Sequence, residues 1–170
     1  MSTPSHDKRS AAPRRHRHLN VRDLCVRDPV TVMRDDSIVD CARRMHERHV
    51  GSVVVVERRM GAEVPIGMIT DRDIAIEVVA FGLDPATLTA ADVMSTPAAT
   101  VKLDADLMEA LSIMREQGIR RLIVVKRDGE LAGVLAVDDL QQAFAEELDG
   151  LSSVMRAELQ RERSTRGGSV

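Results

Sequence analysis

The sequence predicts an α/β protein built from two repeats, each strand–helix–strand–strand–helix, related by pseudo-two-fold symmetry. Three observations carry this. First, VMRDDSIVDCARRMHERHVGSVVVV (32–56) aligns with VKLDADLMEALSIMREQGIRRLIVV (101–125) at an offset of 69 residues, so that Met45 falls on Met114. Past the next turn the offset drops to 66, and Gly67 and Asp73 fall on Gly133 and Asp139. A register that breaks only at a turn marks a duplication. Second, VVVV (53–56) and LIVV (122–125) are continuous apolar runs, the pattern of strands buried on both faces. Third, apolar residues after each first strand recur at helical spacing.

In chain order, residues 1–19 (MSTPSHDKRSAAPRRHRHL) are basic and without periodicity and read as a disordered arm. The first repeat spans 20–84. It opens on VRDLC, whose Asp23 falls on Asp92 of ADVMS in the second copy. A strand at Val30–Val32 leads into a helix whose Ile38, Cys41, Ala42 and Met45 form the expected core face. VVVV is its second strand, ERRMGAEVP a turn, Ile66–Ile69 its third strand, and a helix follows. GLDPATLT (82–89) links the copies.

The second repeat, 85–148, has a strand at Thr100–Val101 and a helix carrying Leu107, Ala110, Leu111 and Met114, which Gly118 ends. LIVV follows, then KRDGE with its Asp-Gly hairpin signature, Leu131–Leu135 and a last helix. That helix is expected to run to about Leu159, within an extension of 149–163. Residues 164–170 read as a disordered tail.

Composition narrows the function. Of the 170 residues 44% are apolar but only 1% aromatic, so the core is aliphatic and base stacking on single-stranded nucleic acid is disfavoured. Lys8, Arg9, Arg14, Arg15 and Arg17 make the start basic, and Arg161, Arg163 and Arg166 the end. The body between is more acidic than the whole-chain charge of −3, which is not a nucleic-acid footprint. No apolar run reaches membrane-spanning length and no signal peptide is visible, so a cytoplasmic protein is expected. Cys25 and Cys41 suggest no disulfide framework. Cys41 reads as a small core residue and Cys25 as an apolar anchor at the place of Met94. HERH (46–49) lacks a third ligand, and its helix is rich in arginine, so no metal site is expected. No nucleophile–base pair is visible, and no enzyme is expected.

Several segments together carry a resemblance: VRDLC, the Pro before each first strand, GIRRLIVV, and GMITDRD with its Gly-x-x-Thr-x-x-Asp junction. Over residues 20–148 the chain resembles a tandem pair of CBS domains (a Bateman module). TDRDIAIEVVAFGLDP is similar to small stand-alone bacterial pairs of the hypoxic-response type. The resemblance implies regulatory binding of an adenosine nucleotide (AMP, ADP or ATP), with no cofactor required. It implies crossed clefts, in which the motif of one copy faces the strand starts of the other. The first would gather Met68, Thr70, Arg72 and Asp73 with Ala98, Ala99, Thr100, Ile119, Arg120 and Arg121. Asp73 would take the ribose hydroxyls, and the arginines would meet phosphate. A weaker second cleft would combine Val30, Thr31, Gly51, Ser52, Ala136 and Asp139.

Thr70 and Asp73 also fit a capping box, which would account for both residues without a ligand. The second copy reads GVLAVDD, with Ala136 at the place of Thr70, and this favours a ligand role for Thr70. The resemblance further implies a homodimer through the helices after each motif (Ile74, Val78, Phe81; Leu140, Phe144, Leu148) and an unknown effector protein. The alternative is an assembly module whose clefts hold no ligand.

Overall fold

The computed structural model describes residues 19–166, with side chains described as far as Arg161. The basic arm expected over 1–19 lies outside the described residues except for Leu19, which packs on the second repeat's core. The first half contains α1 (Val21–Leu24), β1 (Thr31–Met33), α2 (Ile38–Arg48), β2 (Ser52–Arg59), β3 (Ala62–Thr70) and α3 (Asp71–Asp73), which runs into a π-helical segment (Ile74–Val79). The second half contains α4 (Ala90–Val93), β4 (Thr100–Lys102), α5 (Leu107–Gln117), β5 (Arg121–Val125), β6 (Leu131–Ala136) and α6 (Val137–Arg166).

Each half holds one three-stranded sheet, β1-β2-β3 and β4-β5-β6, with the first pair parallel and the second antiparallel. A bulge falls at Val55/Val56 in one sheet and at the equivalent Val124/Val125 in the other, so the duplication extends to an irregularity of the backbone.

Strand alternation explains the continuous apolar runs. Successive side chains point to opposite faces. Val53 and Val55 turn to the first repeat's helices, as Leu122 and Val124 turn to the second's. Val54 and Val56 meet Ile123 and Val125 in a third core between the two sheets. Every residue of both runs is at most 5% exposed.

The two lead-in segments cross. Val21 and Cys25, from the start of the chain, belong to the core of the second repeat, while Ala90, with Val93 and Met94, belongs to that of the first. Backbone hydrogen bonds fix each crossing: Val26 and Val134 exchange N–H···O bonds of 2.9 and 3.0 Å, and Ser95 and Met68 bonds of 2.9 and 3.4 Å. Asp23 and Asp92, whose equivalence is visible in sequence, cap the one-turn helices that begin these segments. The Thr89 hydroxyl and amide, which donate to Asp92, hold its carboxyl below the ordinary carboxylate range.

Four expectations need correction. ERRMGAEVP is mostly strand, and the turn is only Met60 (φ 51°) and Gly61 (φ 86°), two left-handed residues of the kind a tight hairpin needs. Ala42 is exposed, because α2 turns inward only Ile38, Cys41 and Met45. α6 continues to Arg166, past both Leu159 and the expected boundary at 163. The proposed dimer faces are largely used inside the chain: Val78 is 0% and Leu140 1% exposed, and Ile74 and Phe144 pack beside them. Phe81 (71%) and Leu148 (63%) do stand outside. Each repeat spends the inner face of its motif helix covering its own small sheet.

Both cysteines are free and buried. Burial pushes the Cys41 thiol up to about 11, and burial likewise raises that of Cys25. Only the thiolate attacks electrophiles. At pH 8 both thiols are therefore expected to resist a thiol reagent in the folded protein and to react together on unfolding. Rapid native labelling of one thiol per chain would contradict this packing.

Candidate functional site

β3 ends at Thr70, which turns the chain into α3. The Thr70 Oγ1 accepts from the Asp73 amide (3.2 Å), and Asp73 Oδ2 accepts from the Thr70 amide and hydroxyl (both 2.8 Å). The capping box is thus complete. In the second copy only its carboxylate half survives: Asp139 Oδ2 accepts from the Ala136 amide at 3.0 Å.

Beside this junction lies a cleft of ≈ 620 Å³ between the repeats. Its first wall is Met68, Thr70, Asp71, Arg72 and Asp73. Facing them are Ala99, Ile123 and the α5–β5 connection, Gln117 to Arg121, with Ser95, Thr96 and Pro97 at one end. Eight of the ten residues expected in the first cleft are therefore brought together. The other two are not: Ala98 is turned into the core between the sheets, and Thr100 lies exposed on β4. In this extended stretch only Ala99, between those two, reaches the cleft.

Sequence reading missed Ser95, Thr96 and Pro97, which reach the cleft because Ser95 pairs with Met68 across the crossed lead-in. The chain-local signal for these residues is slight. Asp71, inside the motif but not among the expected site residues, also lines the cleft.

The arginines differ in setting. Arg120 Nη2 lies 3.2 Å from Asp138 Oδ1 at the start of α6, in an exposed ion pair of the kind worth little in water. Arg121 reaches back toward the first repeat. Its Nη2 and the Asp71 carboxylate each lie 3.2 Å from where a Cβ on Gly51 would stand. Gly51 accordingly leaves room for a cation and a carboxylate at the junction of the repeats. With Arg72, three guanidinium groups and two carboxylates line the cleft.

Among the residues expected in the second cleft, the Gly51 carbonyl accepts from the Asp71 amide at 3.1 Å. Ser52 pairs with Thr70 on β2–β3, and Ala136 pairs with Arg121 on β5–β6. The Val30 carbonyl accepts from the Val54 amide, and the Thr31 carbonyl accepts from Arg44. Thr31 lines a separate depression of ≈ 510 Å³ with Asp28, Pro29 and the two hairpins. Among the described residues no group of three or more His, Cys, Asp or Glu could hold a metal ion. No helix among them is long and apolar enough to cross a membrane.

Two sheets of this topology, a crossed lead-in for each, and a Thr–Asp junction facing the other copy's strand start define a fold of two interlocked repeats with a cleft between them. The CBS domain model matches residues 21–80 and 90–146, and the chain belongs to the CBS domain family. A Methanopyrus kandleri protein of uncharacterized function is 38% identical over 126 residues, 74% of this chain and 63% of that one. Hypoxic response protein 1 of Mycobacterium tuberculosis is 29% identical over 127 residues, 74% of this chain and 85% of that one. A crystal structure of Hypoxic Response Protein I with two coordinated zinc ions matches with a TM-score of 0.64 at 28% identity, covering 73% of this chain and 98% of that one. The Pyrobaculum aerophilum CBS domain protein PAE2072, solved in complex with AMP, matches with a TM-score of 0.66 at 30% identity, covering 72% and 90%.

Proposed function

We propose that this chain is a regulatory module of the cytoplasm that binds an adenosine nucleotide in the first cleft and passes its occupancy to an effector protein. The observation that carries this is the meeting in one cleft of Thr70 and Asp73 from one repeat with Arg120 and Arg121 from the other. In this reading Asp73 keeps Oδ2 for the cap and offers Oδ1 to the ribose hydroxyls, since a carboxylate accepts on both oxygens. Arg120 and Arg121 meet phosphate through charge-assisted hydrogen bonds. The AMP complex of the Pyrobaculum relative supports the ligand class. The functional unit is the pair, 20–148, because each repeat lends its lead-in segment to the other's core. Its role is regulatory rather than catalytic, and it acts as a homodimer through faces left exposed after the motifs. The second cleft, around Ala136 and Asp139, takes nucleotide weakly.

A thermal-shift screen with AMP, ADP, ATP, NAD and S-adenosylmethionine tests this. At least one adenosine nucleotide is expected to raise the melting temperature in proportion to the logarithm of its concentration. The competing reading is an assembly module without a ligand. It draws on the complete capping box and the Arg120–Asp138 pair, which satisfy these groups by themselves. No shift with any of the five compounds would favour it.

The arginines give a finer prediction. Arg120→Ala and Arg121→Ala should each weaken ATP more than adenosine in calorimetric titration, and the difference should shrink as salt is raised, because exposed charges are screened. Equal losses for ATP and adenosine would remove the arginines from the phosphate.

A further inference from the structure

Only the first part of α6 is held by the body: Leu140 is 1% exposed, Ala143 4%, and Phe144 is half-buried. From Ala145 to Arg161 every residue is exposed. At 1.5 Å per residue this segment extends about 25 Å. Its surface is not uniformly polar. Leu148, Leu151, Met155 and Leu159 recur at intervals of three, four and four, with Val154 beside them, and each is 55–66% exposed. Helices in proteins draw most of their stability from packing an amphipathic face, and Gly150 weakens the intrinsic propensity of this one. A sustained apolar stripe against which no described residue of the rest of the chain is layered calls for a cover.

The charge pattern says what covers it. Glu146, Glu147 and Asp149 precede the middle of the segment, where there is no Lys or Arg; Arg156 and Arg161 follow it, with Glu158. A parallel copy would lay the three carboxylates beside themselves. An antiparallel copy brings them to the arginine-bearing half. Five apolar side chains from each of two copies would remove on the order of 1,000 Å² from water, which reaches the size of a specific interface.

We propose that residues 145–161 of α6 dock antiparallel on the same segment of a second copy. Leu148 of one copy then meets Met155 of the other, and the helices cross near Leu151 and Ser152. This rests on the self-association reading above and places the contact on the far half of α6 rather than on the parts of the two helices next to the motifs.

Light scattering of the full chain at micromolar concentration is the first test. The unaltered protein should have a dimer mass, and the double variant Leu151→Glu, Met155→Glu a monomer mass. Its folded circular-dichroism spectrum should persist, because both positions are already exposed in a single chain. Orientation is tested by oxidising a mixture of Leu148→Cys and Met155→Cys proteins, whose native cysteines are buried. Disulfides joining one variant to the other should predominate. Links only between like variants would overturn the antiparallel arrangement. A dimer that survives the double variant would overturn the proposal while leaving self-association intact. If Phe81→Glu dissociated it instead, the contact would belong to the exposed Val79–Leu83 patch. A monomer mass for the unaltered chain would overturn both the proposal and the reading it rests on.

Discussion

Replacing Asp73 with Asn is expected to weaken nucleotide binding about ten- to a hundredfold, the loss that follows from hydrogen bonds to a charged acceptor worth roughly 1.5–3 kcal/mol. Asn has the same shape and keeps one carbonyl oxygen, so it can still accept from the Thr70 amide, now 2.8 Å from the carboxylate. The cap should therefore weaken by no more than about 1 kcal/mol. The ligand loses a second, charged acceptor.

Asp139→Asn is the internal control. Asp139 makes the same backbone contact, to the Ala136 amide at 3.0 Å, but has no hydroxyl partner. The residue equivalent to Arg120 on its side is Gly51, and that equivalent to Arg121 is Ser52. Its change should leave the measured affinity nearly unaltered. Calorimetric titration of both variants with the best nucleotide from the screen, alongside their melting temperatures, decides the matter. Equal losses would end the asymmetry of the clefts. Unaltered affinity in a folded Asp73→Asn protein would leave Thr70 and Asp73 only their helix cap.

What could be read from the chain and what could not follows from how local each signal is. GMITDRD is one unbroken string, so its Thr and Asp were found together. The runs VVVV and LIVV announced burial on both faces. Which alternate valines face which core depends on a strand phase that the run itself does not express, and for the same reason Ala98 and Ala99 could not be told apart. The crossing of the lead-in segments was hidden more deeply. VRDLC has the same local pattern whichever core receives it, and its partner Ala105 lies far along the chain, joined by the Val21 amide to the Ala105 carbonyl at 3.0 Å. Missing that crossing meant missing Ser95–Pro97, since they are carried into the cleft by it. The same limit applies to the helices after the motifs: helical spacing shows that Val78 and Leu140 share a stripe with their neighbours, but not that each repeat consumes that part of the stripe itself.

Gly67 and Gly133 fall on each other in the repeat, and the crossing explains both, which leads to the second large effect. Neither has a left-handed φ, so alanine is conformationally allowed at each. What forbids it at Gly133 is contact: a Cβ there would stand 2.5 Å from the Val26 carbonyl oxygen, which is main chain and cannot swing aside. Relief requires moving the lead-in segment and stretching the paired Val26–Val134 bonds of 2.9 and 3.0 Å. Gly133→Ala should cost about 1–3 kcal/mol, as overpacking of a closed contact does. For a chain of this length that is a fall of roughly 2–12 °C in melting temperature. Gly67→Ala meets the flexible Met94 Sδ at 2.7 Å and the Ser95 carbonyl oxygen at 2.9 Å, so part of its clash can be relieved by a side chain and its cost should be smaller. It carries a second consequence that Gly133→Ala lacks. Ser95 lines the cleft beside Met68, so displacing it should also weaken nucleotide binding, whereas Gly133→Ala should destabilise the fold and spare the affinity of the protein that remains folded. Thermal melting and titration of the two variants separate these outcomes. A Gly133→Ala protein that melts with the unaltered chain would show that the segment around Val26 is not seated on β6.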